Sequence, residues 1–360
     1  VSKSVVISID AMGGDKGPPL VVAGLALALD RLAGQDVRFL LHGDEGAIAP
    51  ELAKYPAVAA ASEVRHTALK IASDEKAATA LRRGKGSSLW NAVEAVKLGQ
   101  AAAAVSGGNT GALMAISKLL LRMAGGLERP ALVASWPTVR GVTAVLDVGA
   151  NVTSDAAQLM EFAIMGEAFH RAVHGKSYNG EDGARASVGL LNVGSEDIKG
   201  HEEVREAHRL LREAGLDIDY HGFVEGNDIA MGTVDVVVTD GFTGNVALKT
   251  AEGMARFFAI TLRATLTSTW VAKLGAVIAS AALKRMRARL DPSSVNGGPL
   301  LGLNGVVVKS HGGADAKGYA NAVKMAADLA ASDYAAQIAL NLEKLGQALQ
   351  SVRAAAETDS

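Results

Sequence analysis

Six times along this chain a short run rich in β-branched residues ends in a polar, glycine-bearing loop. The loops are "DAMGGDKG", "SGGNTGA", "DVGAN", "NVGSEDIKG", "TDGFTGN" and "KSHGGADAKG", and segments with helical spacing alternate with the strand-like runs. This pattern predicts an α/β fold of three layers, α/β/α, with a mostly parallel central sheet covered on both faces. In such sheets ligands bind beyond the carboxyl ends of the strands. One glycine loop after a strand is usually only a turn. Six of them point to a shared polar cleft.

The length of 360 residues with 49% hydrophobic content suffices for one large α/β domain or two smaller ones. A net charge of −2 gives no basic field for nucleic acid. The absence of cysteine excludes disulfides, thiolate metal sites and a thioester on the enzyme itself. The first residues run straight into a strand without a basic, then apolar, leader, so a cytosolic chain is expected.

Neither G-x-x-x-x-G-K-[ST] nor G-x-G-x-x-G occurs, so the usual ATP and NAD loops are missing. "SGGNTGA" still has the makings of an anion site: Gly107, Gly108 and Gly111 for close backbone approach, and Ser106, Asn109 and Thr110 as donors. A tight turn with a capped helix explains the same residues. In "TDGFTGN", Asp240, Thr243 and Asn245 precede a helix expected from about Val246, with Thr243 or Asn245 as its cap. Lys199 lies in a loop before an acidic helix, where it is either a solvated side chain or an anion ligand. His311 stands in a glycine-rich strand end as a candidate acid/base or anion donor. His170 and His174 are one helical turn apart without an H-E-x-x-H pattern, which suggests a surface pair rather than a metal site. No G-x-S-x-G elbow is present.

From Gly253 to Leu290 there is no acid, while Arg256, Arg263, Lys273, Lys284, Arg285, Arg287 and Arg289 are interleaved with large apolar residues. Lys273 and a run of hydroxyl residues argue against a membrane span. A helical hairpin over 252–291, turning near Ser268 or Gly275, fits better. Trp270, Val271 and Leu274 would touch a membrane, with the basic residues attracted to anionic lipid. A buried helix pair or a dimer contact is the alternative. The last helix, roughly 333–354, carries a stripe of Ile338, Leu342, Leu345, Leu349 and Val352.

Taken together, the segments "IDAMGGDKGP", "GNTGALMA", "LDVGAN", "NVGSEDIKG", "VVVTDGFTGNVALKT" and "GLNGVVVKSHGGADAKGYANAV" closely resemble the PlsX family of phosphate acyltransferases of bacterial phospholipid synthesis. Gly107 departs from the alanine expected before "GNTGA". The resemblance implies transfer of a long-chain fatty acyl group from acyl carrier protein to inorganic phosphate, without cofactor or metal. It implies a fold similar to isocitrate and isopropylmalate dehydrogenases and to phosphotransacetylase. A homodimer, cytoplasmic and loosely attached to the inner membrane face, would pass acyl phosphate to a membrane glycerol-3-phosphate acyltransferase for phosphatidic acid synthesis. Residues 1–350 would form one domain with the hairpin protruding, and 351–360 a tail. On this reading Lys199, Asn245 and His311 are catalytic. Asp10, Gly13, Gly14, Asp15, Gly108, Asn109, Thr110, Gly111, Asp147, Asn151, Asp240, Thr243 and Lys309 would bind phosphate or substrate. A phosphotransacetylase using acetyl-CoA and a non-catalytic membrane scaffold are the alternative functions.

Overall fold

The computed structural model describes residues 4–174, 185–216, 218–289 and 296–332, with isolated positions at 334, 338, 342, 343 and 346. The chain opens with β1 (Val5–Asp10), α1 (Pro18–Arg31), β2 (Val37–Gly43), α2 (Glu45–Leu52), α3 (Pro56–Ala60) and β3 (Ser62–His66). It continues through α4 (Ala77–Arg83), α5 (Ser88–Lys97), β4 (Ala103–Ser106), α6 (Thr110–Leu121), β5 (Ala131–Pro137) and β6 (Val142–Leu146). Next come α7 (Ala156–His174), β7 (Ser187–Leu191), α8 (Glu202–Glu213), β8 (Asp219–Val224), α9 (Gly226–Met231) and β9 (Val236–Val238). The last described elements are α10 (Gly241–Thr267), α11 (Trp270–Ile278), α12 (Ser280–Arg289), β10 (Gly298–Leu301), β11 (Val306–Lys309) and α13 (Ala316–Ala331).

The strands form one sheet in the order β3-β2-β1-β4-β11-β10-β5-β6-β9-β7-β8. All neighbours are parallel except β11–β10, β10–β5 and β5–β6. Three reversals leave β6, β9, β7 and β8 running opposite to β1, β2, β3, β4 and β11. Sheet twist acts against that reversal. At about 20–25° per neighbouring pair, the seven steps from β1 to β7 accumulate roughly 140–175°.

Alternation within the strands divides the core between the two faces. Ile7, Ile9, Phe39, Leu41 and Val308 pack with Leu25 of α1, Phe162 of α7 and Val323 of α13. On the opposite face Ala104 and Val307 lie under Leu89 and Val93 of α5 and Leu113 and Ile116 of α6. Prolines at the start of α1 cost nothing there, because first-turn N–H groups have no helical acceptor. Gly24 lets α1 close on α13: a Cβ there would stand 2.9 Å from the Tyr319 side chain.

His170 and His174 are not a surface pair. His170 is 3% exposed, with Nε2 3.2 Å from the Val142 carbonyl, and its ring centroid lies 4.9 Å from that of His174. The cause is α7, which packs against the sheet, α8 and α13 and is therefore buried around most of its circumference.

The acid-free segment folds as three helices rather than two. A 27-residue α10 is followed by a turn at Ser268 and then by α11, whose first turn Thr269 caps by accepting from Ala272 N–H at 3.1 Å. Gly275, the other expected turn, is inside α11. Trp270, Val271, Leu274, Val277 and Ile278 are all exposed. No helix among the described residues is long and apolar enough to cross a membrane. Ile338 and Leu342 of the final stripe are buried. Leu345, Leu349, Val352, the tail 351–360 and the end of the hairpin from Leu290 lie outside the described residues, as do the side chains of Arg287 and Arg289.

Candidate active site

Strand pairing and loop contacts sort the six loops into two groups. The first stands at the ends of β1, β4 and β11. Asp10, the last residue of β1, is 2% exposed and accepts from Ser106 Oγ at 2.7 Å and from the Met12 N–H at 3.3 Å. Burial pushes its carboxyl above the usual range, and these donors pull it back. Gly13 presses against this carboxylate; a Cβ would meet Asp10 Oδ2 at 2.5 Å and Gly108 N at 2.7 Å. The Asp15 N–H donates to the Gly312 carbonyl at 3.0 Å, with Gly14 at positive φ beside it, so the first and last loops are joined. Lys309 is partly buried among them and bonds the carbonyls of Gly107 and Ser310. Desolvation lowers its pKa to about 8, against the pull of Asp10 and Asp15.

Asn109 caps α6, accepting from Ala112 N–H at 3.0 Å, and its amide donates to the carbonyls of Ala72, Ser73 and Glu75. Its donors are thus committed to the 72–75 segment. The N–H groups of Thr110 and Gly111 open the helix, where no intrahelical acceptor exists. His311 is exposed; its Nδ1 accepts from Gly313 N–H at 3.1 Å, which leaves the ring proton on Nε2.

The second group stands at the ends of β6, β9 and β7. Asp147 is fully buried and binds the N–H groups of Leu132, Gly149, Ala150 and Asn151 as well as the Asn151 amide. Burial raises its pKa and the ring of donors opposes the shift. Asn151 also donates to the Pro130 carbonyl at 2.8 Å. The first turn of α10 sits directly on this loop. A Cβ on Gly241 would lie 2.2 Å from the Asn151 carbonyl oxygen, and one on Gly244 only 1.9 Å from that of Asp147. Asn245 then reaches the Val148 carbonyl at 3.0 Å.

Two expectations are corrected here. The helix begins at Gly241 rather than near Val246, because its glycines are contact points and not a loop. Its cap is Asp240, which accepts from Thr243 N–H at 2.9 Å and Thr243 Oγ1 at 2.7 Å, in place of Thr243 or Asn245. Lys199 lies on the next strand's loop. Its backbone is held by Asn192 Nδ2 at 3.1 Å, while its half-exposed ammonium is 4.0 Å from Glu196. Trp270, Val271 and Leu274 are far along the chain from both groups, on α11. Sequence reasoning missed Asn192, whose side chain links the two ends of the Lys199 loop, and Asn296, which accepts from the His311 N–H at 3.0 Å. An asparagine directly after a strand was the available signal for Asn192.

Each group therefore offers what an anion needs: helix amino termini, glycine backbone and a lysine, partly buried in one and half-exposed in the other.

Similarity to known proteins agrees with this arrangement. The chain matches the model of the family described as "Fatty acid synthesis protein" over residues 5–337. It is 69% identical over 345 residues to the phosphate acyltransferase of Caulobacter vibrioides, covering 96% of this chain and 93% of that one. The phosphate acyltransferase of Maricaulis maris is 58% identical over 339 residues, covering 94% and 95%. Among solved structures, a phosphotransacetylase from Streptococcus pyogenes superposes with a TM-score of 0.60 at 15% identity, covering 92% of this chain and 95% of that chain. The EutD phosphotransacetylase of Staphylococcus aureus gives 0.57 at 16% identity, covering 91% and 95%. These two establish the α/β fold. With strand-end loops, sheet and family model in agreement over nearly its whole length, the chain belongs to the fatty acid synthesis protein family, that of the PlsX-type phosphate acyltransferases.

Proposed function

We propose that this protein transfers a long-chain fatty acyl group from acyl carrier protein to inorganic phosphate. A phosphate oxygen attacks the thioester carbonyl, the C–O bond of the acyl phosphate forms and the C–S bond breaks. The carrier thiolate leaves and takes up a proton. The nucleophile is the substrate itself, so the enzyme's part is to strip water from a dianion, aim it and stabilise the oxyanion. Carrying this reading is the seating of α10 on the Asp147–Asn151 loop, with Lys199 on the adjoining strand end. On this reading the α10 amino terminus and the half-exposed Lys199, on the loop after the strand paired with β9, act on the same anion. Lys199 neutralises phosphate or oxyanion, and Asn245 holds the α10 turn against the Val148 carbonyl. We infer that the twist of the sheet turns the Asp10–Lys309 group toward the same cleft, where the His311 Nε2–H donates a hydrogen bond to the sulfur and helps the thiolate leave.

Turnover of long-chain acyl carrier protein with phosphate tests this directly. Lys199→Ala should lower kcat by about 10²-fold, the usual loss when one charge-stabilising donor is removed. Unchanged turnover at saturating phosphate removes Lys199 from the mechanism.

A phosphotransacetylase acting on acetyl-CoA is the rival reading, and α10 argues for the long chain. The helix begins at the site and runs roughly 40 Å, at 1.5 Å per residue. Phe242, Val246, Met254, Phe257, Phe258 and Ile260 are exposed along it, before the apolar α11. An acetyl group has no use for such a surface. The same assay with acetyl-CoA separates the two, and no product from either donor would leave the scaffold reading. We place the hairpin tip against an anionic membrane, where an apolar, labile acyl phosphate is handed to a membrane glycerol-3-phosphate acyltransferase. A homodimer, cytoplasmic and peripheral to the membrane, completes the reading. Vesicle flotation of a Trp270→Glu, Leu274→Glu double variant should show binding lost; intact binding sinks the anchor.

A further inference from the structure

The loop that carries Lys199 rests on a three-residue polar stack that the proposed chemistry does not use. His208 of α8 is 9% exposed, and its ring lies against Phe223 at 4.2 Å between centroids, tilted by 25°. Its Nδ1 is 2.7 Å from the Tyr220 hydroxyl of β8. Its Nε2 faces Asp197 Oδ1 at 3.5 Å, longer than an ordinary hydrogen bond. Asp197 stands two residues before Lys199 and is also 3.9 Å from Arg212.

Donor accounting fixes the tautomer. A carboxylate only accepts, so the neutral imidazole turns its N–H on Nε2 toward Asp197. Nδ1 is then the acceptor, and the Tyr220 O–H is the donor behind it. The Lys199 loop is otherwise held from inside by Asn192 and by Gly200, whose positive φ of 91° suits the turn. On its outer side the polar hold comes from Asp197.

We propose that His208 and Asp197 are positioning residues: with Tyr220 behind, they fix the loop so that the Lys199 ammonium meets the phosphate. The inference rests on the proposed role of Lys199. Two residues separate Asp197 from Lys199, so a shift of one is passed to the other. A displacement of about 1 Å in a reacting group can cost about 10²-fold in rate.

The test uses the full chain, long-chain acyl carrier protein and inorganic phosphate. Asp197→Asn and His208→Gln are each compared with Lys199→Ala, and Asp197→Asn is combined with Lys199→Ala. Asp197→Asn and His208→Gln should each lower kcat/KM for phosphate about tenfold, a part of the loss in Lys199→Ala, with the melting temperature nearly constant. In the Lys199→Ala background Asp197→Asn should add nothing, because the group it positions is gone. The positioning role is overturned if Lys199→Ala is damaging while Asp197→Asn and His208→Gln leave kcat/KM for phosphate unchanged. Full additivity in the double variant overturns it as well. If Lys199→Ala alone has no effect, the site reading falls first and this inference falls with it. Since Asp197 is exposed, its variant folds even if His208→Gln does not.

Discussion

Gly244 has room for no side chain at all: the Asp147 carbonyl oxygen would lie 1.9 Å from its Cβ. Gly244→Ala must lift the first turn of α10 off the loop beneath. We expect a loss of about 3 kcal/mol or more in urea unfolding, and loss of acyl phosphate formation with it. Asp147 is the other half of the contact. Its carboxylate binds five N–H groups, and Asp147→Asn would set an NH2 among donors, costing about 2–4 kcal/mol in the same measurement. The residue types at both positions were legible in the sequence as a glycine turn and an acid after a strand. Their roles were not, because a glycine that turns the chain and one that admits a neighbour's carbonyl look alike in one dimension. Asn109 makes the same point from the other side. It reads as an anion donor, yet the 72–75 carbonyls already hold its amide.

Among the elements, α7 is the one whose periodicity misleads. A helix covered on nearly every side tolerates polar residues wherever a partner or a neutral form is available, so its histidines read as surface. Glu161 on this helix is raised to about 7, first by burial and then by Glu128 and Asp155. Its folded form therefore keeps a proton that the unfolded chain releases between about pH 4.5 and 7, and stability falls as pH rises through that window. Glu161→Gln should remove the fall. We expect it to stabilise the protein by about 1–2 kcal/mol at pH 8, after allowance for solvent screening, and by little at pH 4.5. Thermal melts at the two pH values check this, and equal effects at both would overturn it. For α10 the sequence had already shown an acid-free, amphipathic segment. Its true length emerged only once "GFTGN" was recognised as helix, which joins the site to the exposed tip in a single rod.

At the scale of the whole molecule, the question is whether two loop groups act as one site. If the sheet's twist offsets its three reversals, inorganic phosphate should slow backbone hydrogen exchange in 107–111 and in 192–200 together. Protection of one group alone, at saturating phosphate, would separate them. By itself the sequence determined the alternation of strand and helix, the six polar strand ends, the acid-free segment and the family. All of these are carried by local pattern: a period of 2 or 3.6, a glycine, a run of one charge. What only the tertiary structure decided is pairing. β10, from late in the chain, is inserted antiparallel beside β5, and the Asp15 N–H of the first loop meets the Gly312 carbonyl of the last. These follow from which segments meet across distances of a hundred residues or more. Contacts of that kind are set by the packing of the whole core, and no local run of residues encodes them.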